Sequence, residues 1–295
     1  IQAYEHSAMT LNYIRALGEG GFADLHHPEY WNLGFVRHDS LRQEYQQIVD
    51  AILEALHFME AVSTNPIGDV DRVSFYTSHE ALLLPYEESF TRRALKDAPT
   101  YNLSTHFPWI GKRTSHVDGA HVEYARGIRN PLGLKIGPGT TTDGLISLLE
   151  RLNPDNEAGR ITLITRFGAN QIADGLAPLL AHVEREGRLV LWACDPMHGN
   201  TETLSNGIKT RRFDNIKSEL EQAFDLHADH GTILGGVHLE LTGENVTECI
   251  GGARGLEEED LHRAYQSQVD PRLNGEQALE LAFAIVRKRR AMLSK

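Results

Sequence analysis

The sequence predicts an α/β fold in which repeated strand–helix units build a parallel sheet, of either the barrel or the doubly wound type. Three observations lead to this prediction. Short apolar runs recur from residue 73 onward, and amphipathic segments of helical period lie between most of them. One apolar run, Leu189–Ala193, breaks abruptly into the polar cluster Asp195–Asn200. Folds of both types present their functional groups where strands end in this way.

Length and composition narrow the class of protein. A chain of 295 residues can hold one large α/β domain or two small ones. The net charge of −12 argues against a nucleic-acid partner. The apolar runs are all shorter than the roughly 20 residues of a membrane span, and the first residues do not read as a secretory signal. Only two cysteines are present, Cys194 and Cys249, which favours the reducing cytoplasm as the location.

The first 70 residues read as helical. An apolar face running from Tyr4 to Leu17 predicts a helix that ends at the glycines between 18 and 21, and a second helix is predicted over Ser40–Met59. Between and after them we expect a loop at Ala23–Trp31 and a turn at Asn65–Asp69.

The remaining chain alternates between strand and helix candidates, which is the pattern of a parallel sheet with helical crossovers. The strand candidates are Val73–Tyr76, Phe107–Ile110, Gly133–Ile136, Ile161–Thr165, Leu189–Ala193 and Ile233–Leu239. The helix candidates are Glu80–Leu95, Asp118–Ile128, Thr142–Leu152, Ala169–Glu186, Asn215–His230 and a final helix over Gly275–Met292.

Cations stand at the ends of three successive strand candidates. Arg113 follows the second candidate, Lys135 lies in the third and Arg166 follows the fourth. Such groups suit phosphate or carboxylate, although each alone is equally well explained by a surface ion pair. Because the ends of parallel strands meet at one mouth, three in a row favour an anion site.

Nitrogen and oxygen ligands stand at the later strand ends. His198 follows Leu189–Ala193, and we place His238 and Glu240 on one face of the strand Ile233–Leu239 because side chains alternate along a strand. His198, Glu240 and the later acid Asp270 form a nitrogen–oxygen set suited to a divalent metal. The competing interpretations are a loop-capping histidine, an ion pair at Glu240 and a turn cap before Pro271 at Asp270.

Other catalytic motifs receive less support. The run Gly137-Pro-Gly-Thr-Thr-Thr precedes a predicted helix and could cradle phosphate with its backbone amides, but it lacks the lysine of a P-loop. The chain has no GxGxxG fingerprint, and neither Ser78 nor Cys194 lies in a nucleophile elbow.

Several long motifs together resemble one enzyme family. They are SFYTSHEALLLPYE, WIGKRT, DGAHVEYARGIRNPLGLKIGPGT, ITLITRFGA, WACDPMHGNT and GGVHLELTGENVTECIGG. In these stretches the chain resembles the class II (plant-like) 3-deoxy-D-arabino-heptulosonate 7-phosphate (DAHP) synthases. These metal-dependent transferases condense phosphoenolpyruvate with erythrose 4-phosphate and open the shikimate pathway to the aromatic amino acids.

The resemblance implies a role for each candidate residue. His198, Glu240 and Asp270 match the family's metal ligands, for which Mn²⁺, Co²⁺ and Zn²⁺ are equally suitable. Arg113, Lys135 and Arg166 match the phosphoenolpyruvate-binding residues, with Lys112 beside them, and we take Lys135 and His198 as the catalytic pair. A homo-oligomer with small-molecule substrates and no nucleic-acid or membrane partner is expected.

The resemblance also implies a (β/α)8 TIM barrel of which strands 3–8 are present. Residues 1–70 would be a helical insertion before strand 3, and residues 71–295 would carry the strand–helix units of the same single domain. The family's first two strands, which bear a cysteine metal ligand, are not in this sequence, so we expect an open sheet edge and an incomplete site.

Lys112 is a second departure, because the family usually has a glutamate there. Both departures favour the alternative of a truncated, non-catalytic paralogue or a partner subunit of a longer synthase. A metal-dependent barrel hydrolase is a weaker alternative, since the paired-histidine strand motif of such enzymes is absent from the sequence.

Overall fold

A computed structural model describes residues 1–22, 34–62, 74–93 and 98–293, which group into two compact units, Ile1–Thr77 and Ser78–Lys295. The predicted loop Ala23–Trp31, the predicted turn Asn65–Asp69 and Val73 lie outside the described residues. The expected single domain, with a helical insertion over residues 1–70, stays a prediction.

The first unit is helical. Helix α1 spans Gln2–Glu19 and α2 spans Asp39–Val62. Leu41, Tyr45 and Val49 of α2 are buried, and because they are spaced by four residues they lie on one face of the helix. Helix α2 also extends beyond both ends of the predicted helix Ser40–Met59.

The second unit contains a six-stranded parallel sheet and two short antiparallel hairpins. The sheet strands are β1 (Ser78–Glu80), β4 (Phe107–Ile110), β5 (Leu132–Ile136), β6 (Ile161–Thr165), β7 (Leu191–Cys194) and β10 (Leu234–Val237). The hairpins pair β2 (Thr91–Arg93) with β3 (Thr100–Asn102), and β8 (Thr201–Thr203) with β9 (Lys209–Arg211).

Strand order separates the two fold types left open by the sequence. The sheet strands lie side by side in chain order, β1-β4-β5-β6-β7-β10. A doubly wound sheet reverses its order part-way, whereas a (β/α)8 barrel keeps it sequential. The architecture is therefore consistent with a TIM-barrel-like fold, with β1 and β10 at the two edges of the sheet in the described residues.

The central strands form the core. All five residues of β5 are buried, including Leu132, Leu134 and Ile136, as expected for a parallel strand covered on both faces. Helices cover the sheet, and consecutive ones from α4 to α8 contact each other. These are α4 (Ala120–Arg126), α5 (Thr142–Leu152), α6 (Ile172–Arg185), α7 (Phe213–Asp229) and α8 (Gly275–Leu293). No described helix is long and apolar enough to cross a membrane.

The sequence prediction is wrong at the first strand. The described part of the apolar run Val73–Tyr76 has no regular structure, and β1 is the polar stretch Ser78–Glu80. Its residues pair in parallel with β4, and the Ser78 hydroxyl donates to the Phe107 carbonyl at 2.7 Å. A half-exposed edge strand can be held by these backbone contacts without an apolar side-chain pattern.

The predicted helix Glu80–Leu95 is also wrong. Helix α3 covers only Leu84–Ser89, with Pro85 in its first turn, and the chain then enters the β2–β3 hairpin. Proline is tolerated in a first turn but not in a helix interior, so a helix could not run from Glu80 through Pro85. Buried Glu87 accepts hydrogen bonds from Asn102 and Ser104 at 2.6 and 2.7 Å, which ties α3 to the segment after β3.

His227 in α7 is a buried titratable group of this core. It is fully buried, its Nδ1 lies 2.7 Å from the Thr232 hydroxyl, and its ring meets Trp192 edge to face. Burial lowers the pKa of His227 from 6.5 to about 4. The native protein therefore keeps this ring neutral at pH values where the unfolded chain would protonate it.

We predict that His227 makes the protein less stable as the pH falls from 6.5 to 4. Its contribution is fully present above pH 6.5, and about 3 kcal/mol is lost once the pH passes the native pKa. Urea unfolding across this window should give a flatter dependence on pH for His227→Gln than for the unmodified protein. Exposed His262→Gln is the control and should leave the slope unchanged. Parallel curves for His227→Gln and the unmodified protein would contradict the assignment.

Candidate active site

A pocket of about 400 Å³ opens at the carboxyl ends of the parallel strands. It is lined by residues of both predicted halves and by others that the sequence did not indicate: Glu80, Trp109, Gly111, Lys112, Arg113, Lys135, Arg166, His198, Thr201 and Asp270. All predicted site residues except Glu240 line it directly, and Glu240 lies against His198.

Lys135 is the buried cation of the pocket. It lies in β5 with only 3% of its side chain exposed, and its ammonium forms an ion pair with Asp195. The same Nζ lies 5.0 Å from the centre of the Trp109 ring. Burial lowers the pKa of Lys135, and the Asp195 carboxylate opposes that shift. This lysine is therefore held by one carboxylate and one aromatic face.

Asp195, at the end of β7, joins the two halves of the site. One carboxylate oxygen, Oδ2, contacts both Lys135 Nζ and His198 Nδ1, the latter at 2.7 Å. The other, Oδ1, accepts from the backbone amides of Met197 and His198 at 3.0 and 3.1 Å. Burial raises the pKa of Asp195, but the bond from His198 and the charge of Lys135 outweigh it and hold the pKa well below its usual range.

The predicted metal ligands come together. One potential ligand atom from each of His198, Glu240 and Asp270 lies within 4.8 Å of the other two. With Nδ1 of His198 on Asp195, Nε2 faces Glu240 Oε1 at 3.2 Å. Burial lowers the pKa of His198, but its bonds to Asp195 and Glu240 outweigh this and raise it to about 9. One nitrogen and two carboxylates form a donor set that fits a divalent transition metal.

Two cations neutralise the metal-side carboxylates. Arg211 is fully buried and donates to Glu240 and to the carbonyl of Pro271. Lys209 Nζ lies 3.4 Å from Asp270 Oδ1. Burial raises the pKa of Glu240, but His198 and Arg211 outweigh it and lower the pKa below its ordinary value. The Glu240 carboxylate is therefore kept ionised, as metal binding requires.

The remaining predicted cations also line the pocket. Lys112 and Arg113 are in a short 3₁₀ turn directly after β4. Arg166 follows β6 and donates from Nη2 to the carbonyl of His198 at 3.0 Å. Its Nε is buried and has no hydrogen-bond acceptor among the residues that the structure describes. Arg166 therefore has one donor, Nε, that the described protein groups leave unpaired.

Glu80, Trp109, Thr201 and Arg211 are the residues that the sequence analysis missed. Glu80 had been placed inside a predicted helix, whereas it is the last residue of β1. A Cβ at Gly111 would lie 2.0 Å from Glu80 Oε1, so the observed orientation of the Glu80 side chain depends on glycine at that position. The available signal was the position of Glu80 shortly after the apolar run Val73–Tyr76, from which Thr77, Ser78 and His79 separate it.

Two further details differ from the sequence analysis. Strand β10 ends at Val237, so His238 and Glu240 follow the strand instead of lying on it. The backbone of Glu240 pairs instead with Leu273, whose amide donates to the Glu240 carbonyl at 2.9 Å. The residues of Gly137-Pro-Gly-Thr-Thr-Thr are not among those lining the pocket, and Gly137 N donates within the loop to Thr140 at 3.1 Å.

Comparisons with known proteins converge on one family. A model of the Class-II DAHP synthetase family matches residues 1–286. The chain is 49% identical to a phospho-2-dehydro-3-deoxyheptonate aldolase of Neurospora crassa over 97% of its length, and 46% identical to one of Streptomyces coelicolor over 96%. A third, from Mycolicibacterium smegmatis, is 44% identical over 97%. The chain spans 62–63% of the length of these relatives.

We predict that Asp195→Asn destabilises the native protein by about 3–5 kcal/mol, because it leaves Lys135 buried without its counter-ion. Asparagine keeps an acceptor for the two backbone amides, so the lost stability reports the removal of the negative charge. Asp225→Asn is the matched control, since it breaks an exposed aspartate–lysine pair and should cost less than about 1 kcal/mol. Urea unfolding measures both changes. Equal small losses would show that the buried pair is unimportant.

Proposed function

The chain belongs to the class-II DAHP synthetase family, and we propose that its pocket is the active site of a DAHP synthase. The reaction joins phosphoenolpyruvate to erythrose 4-phosphate and releases phosphate, opening the pathway to the aromatic amino acids. The observation that carries the proposal is the meeting of four cations and a nitrogen–oxygen ligand set across one buried carboxylate, Asp195.

The cationic wall supports phosphoenolpyruvate as a substrate. This molecule carries a carboxylate and a phosphate close together, and Lys112, Arg113, Lys135 and Arg166 offer positive charge to both. Arg166 also keeps one donor, the buried Nε, that has no acceptor among the described residues. Of the four, Lys135 is the most desolvated, so its contact with an anion should be the strongest. Lys112, where the family usually has glutamate, adds one more cation in this chain.

The ligand set supports a divalent metal beside that anion site. His198, Glu240 and Asp270 would hold the ion, with His198 oriented by Asp195 behind it. When bound, a metal of this kind supplies Lewis-acid polarisation of an aldehyde or water oxygen. Mn²⁺, Co²⁺ and Zn²⁺ all suit the donors.

In the proposed reaction Arg113, Lys135 and Arg166 hold phosphoenolpyruvate. Its enol carbon attacks the aldehyde carbon of the sugar phosphate, and the aldehyde oxygen takes up a proton to become a hydroxyl group. Water adds at the neighbouring carbon and gives up its protons, the carbon–oxygen bond to phosphate breaks, and phosphate leaves to give the ketone. Lys135 would contact the carboxylate beside the carbon that becomes electron-deficient, and its fixed position between Asp195 and Trp109 would orient the substrate.

Two further properties, the location and the oligomeric state, are also proposed. A cytoplasmic location rests on the presence of only two cysteines, both buried and unpaired. A homo-oligomeric state rests on the sheet edges of β1 and β10 within the described residues, since exposed strand edges pair readily with another chain.

We predict that His198→Ala abolishes metal-dependent synthase activity, because it removes the ligand that spans Asp195 and Glu240. Elemental analysis of the purified protein should show loss of the bound metal together with loss of turnover. His262→Ala, on an exposed turn, should retain both. An unchanged metal content with normal turnover in His198→Ala would rule out the ligand assignment.

Lys135→Ala should raise the KM for phosphoenolpyruvate by roughly one to two orders of magnitude, because a charge-assisted contact contributes on the order of 1.5–3 kcal/mol. The KM for erythrose 4-phosphate should change much less. Lys217→Ala on α7 is the control for loss of a lysine outside the pocket. Steady-state kinetics with each substrate varied in turn gives the comparison, and an unaltered KM for phosphoenolpyruvate would count against the role of Lys135.

A further inference from the structure

A buried glutamate on α7 connects two loops of the pocket. Glu219 is fully buried. Its Oε1 accepts from the backbone amide of Phe167 at 2.8 Å, and its Oε2 accepts from the Asn200 side chain at 2.7 Å. The amide of Gly168 also donates to it. One carboxylate thus holds the loop that carries Arg166 and the turn that carries His198.

The orientation of the Asn200 side chain directs its Nδ2 donor at Glu219, which must therefore accept there. Its Oδ1 accepts from the amide of Ala169 at 3.0 Å, and its Nδ2 also donates to the carbonyl of Pro196 at 2.8 Å. Turning the amide over would break both contacts, so Nδ2 must face Glu219. Because backbone amides face the other oxygen, both oxygens of Glu219 must accept, which a carboxylate can do and an uncharged amide cannot.

The two loops are closely packed where Glu219 joins them. A Cβ at Gly199 would lie 2.3 Å from Gly168 N, and Arg166 donates to the carbonyl of His198 at 3.0 Å. A shift of one loop therefore moves the other. The loop after β6 carries an anion-binding residue, and the turn after β7 carries a metal-binding one.

The chemistry of this contact is costly for the fold. Burial raises the pKa of Glu219 to about 7, and among the described residues its hydrogen bonds come from neutral donors. A buried carboxylate without a cation destabilises a protein unless its hydrogen bonds compensate. A carboxyl group at this costly position is explained if the position of the two loops matters for the site.

We propose that Glu219 is a positioning residue that sets the spacing between the anion site at Arg166 and the metal site at His198. It lines neither site and acts through Phe167, Gly168 and Asn200. This inference rests on the proposed function, because it assigns the two loops to phosphoenolpyruvate and to the metal.

Glu219→Gln tests the proposal in the complete protein. Glutamine is nearly the same size, but its amide would point a donor at the donor of Asn200 or at the backbone amides. Glu221→Gln makes the same chemical change two residues along the same helix and is the control. Two dissociation constants are measured by calorimetry, that of Mn²⁺ alone and that of phosphoenolpyruvate at saturating Mn²⁺, together with thermal unfolding.

The expected result is a paired loss. Glu219→Gln should raise the dissociation constants of Mn²⁺ and of phosphoenolpyruvate roughly tenfold each, which is the effect of losing one charge-assisted hydrogen bond. Glu221→Gln should leave both constants equal to those of the unmodified protein. A residue needed only for stability would lower the unfolding temperature and leave both constants of the folded protein unchanged. That outcome, or the weakening of one ligand alone, would overturn the proposal.

A second variant guards against misfolding of Glu219→Gln. Gly199→Ala wedges a methyl group between the two loops, so it should give the same paired loss without removing any charge. If it leaves both constants unchanged, the spacing does not matter and the proposal fails. If the unmodified protein binds neither ligand, the proposed function fails together with the role of Glu219. If the unmodified protein binds both ligands and the variants do not weaken binding, only the role of Glu219 fails.

Discussion

The shared carboxylate of Asp195 is the contact on which the pocket depends. Lys135 and His198 reach the same oxygen from β5 and from the turn after β7, with β6 between them. In a parallel barrel, side chains from alternate strands lie in the same interior layer, so this meeting is expected from the sequential strand order. The proposed anion site and the proposed metal site therefore share one support, and neither can be placed independently of the other.

Burying this ion pair costs desolvation free energy and requires a specific set of hydrogen bonds. Removing an ammonium and a carboxylate from water costs several kcal/mol each, and their attraction compensates only when further hydrogen bonds satisfy both. Here two backbone amides and a histidine complete the carboxylate, while an aromatic face covers the lysine. In the same way, the buried Arg211 donates to the Glu240 carboxylate and neutralises its charge. Charges held in this way need little reorganisation when a charged substrate arrives, which is the usual basis of electrostatic catalysis.

Much of the fold and site could be predicted from local pattern. The run of apolar residues in β5 and β6, and the period of α5, follow from burial of a parallel sheet beneath helices, and these elements lie within a residue or two of their predicted bounds. The grouping of Lys135, Arg166 and His198 followed from one rule, that parallel strands end on one side. Prediction failed at β1 and α3, where edge pairing and the buried Glu87 replace the apolar pattern.

The sequence by itself determined which chemical groups stand at strand ends, because strand length and helix period are encoded in neighbouring residues. Only the tertiary structure decided which of those groups meet. Glu80 lines the pocket in an orientation that uses the space left by Gly111, thirty-one positions away. Glu219 holds two loops that precede it in the chain by some twenty to fifty residues. Such contacts depend on strand register and helix packing, and a single sequence carries no local signal for either.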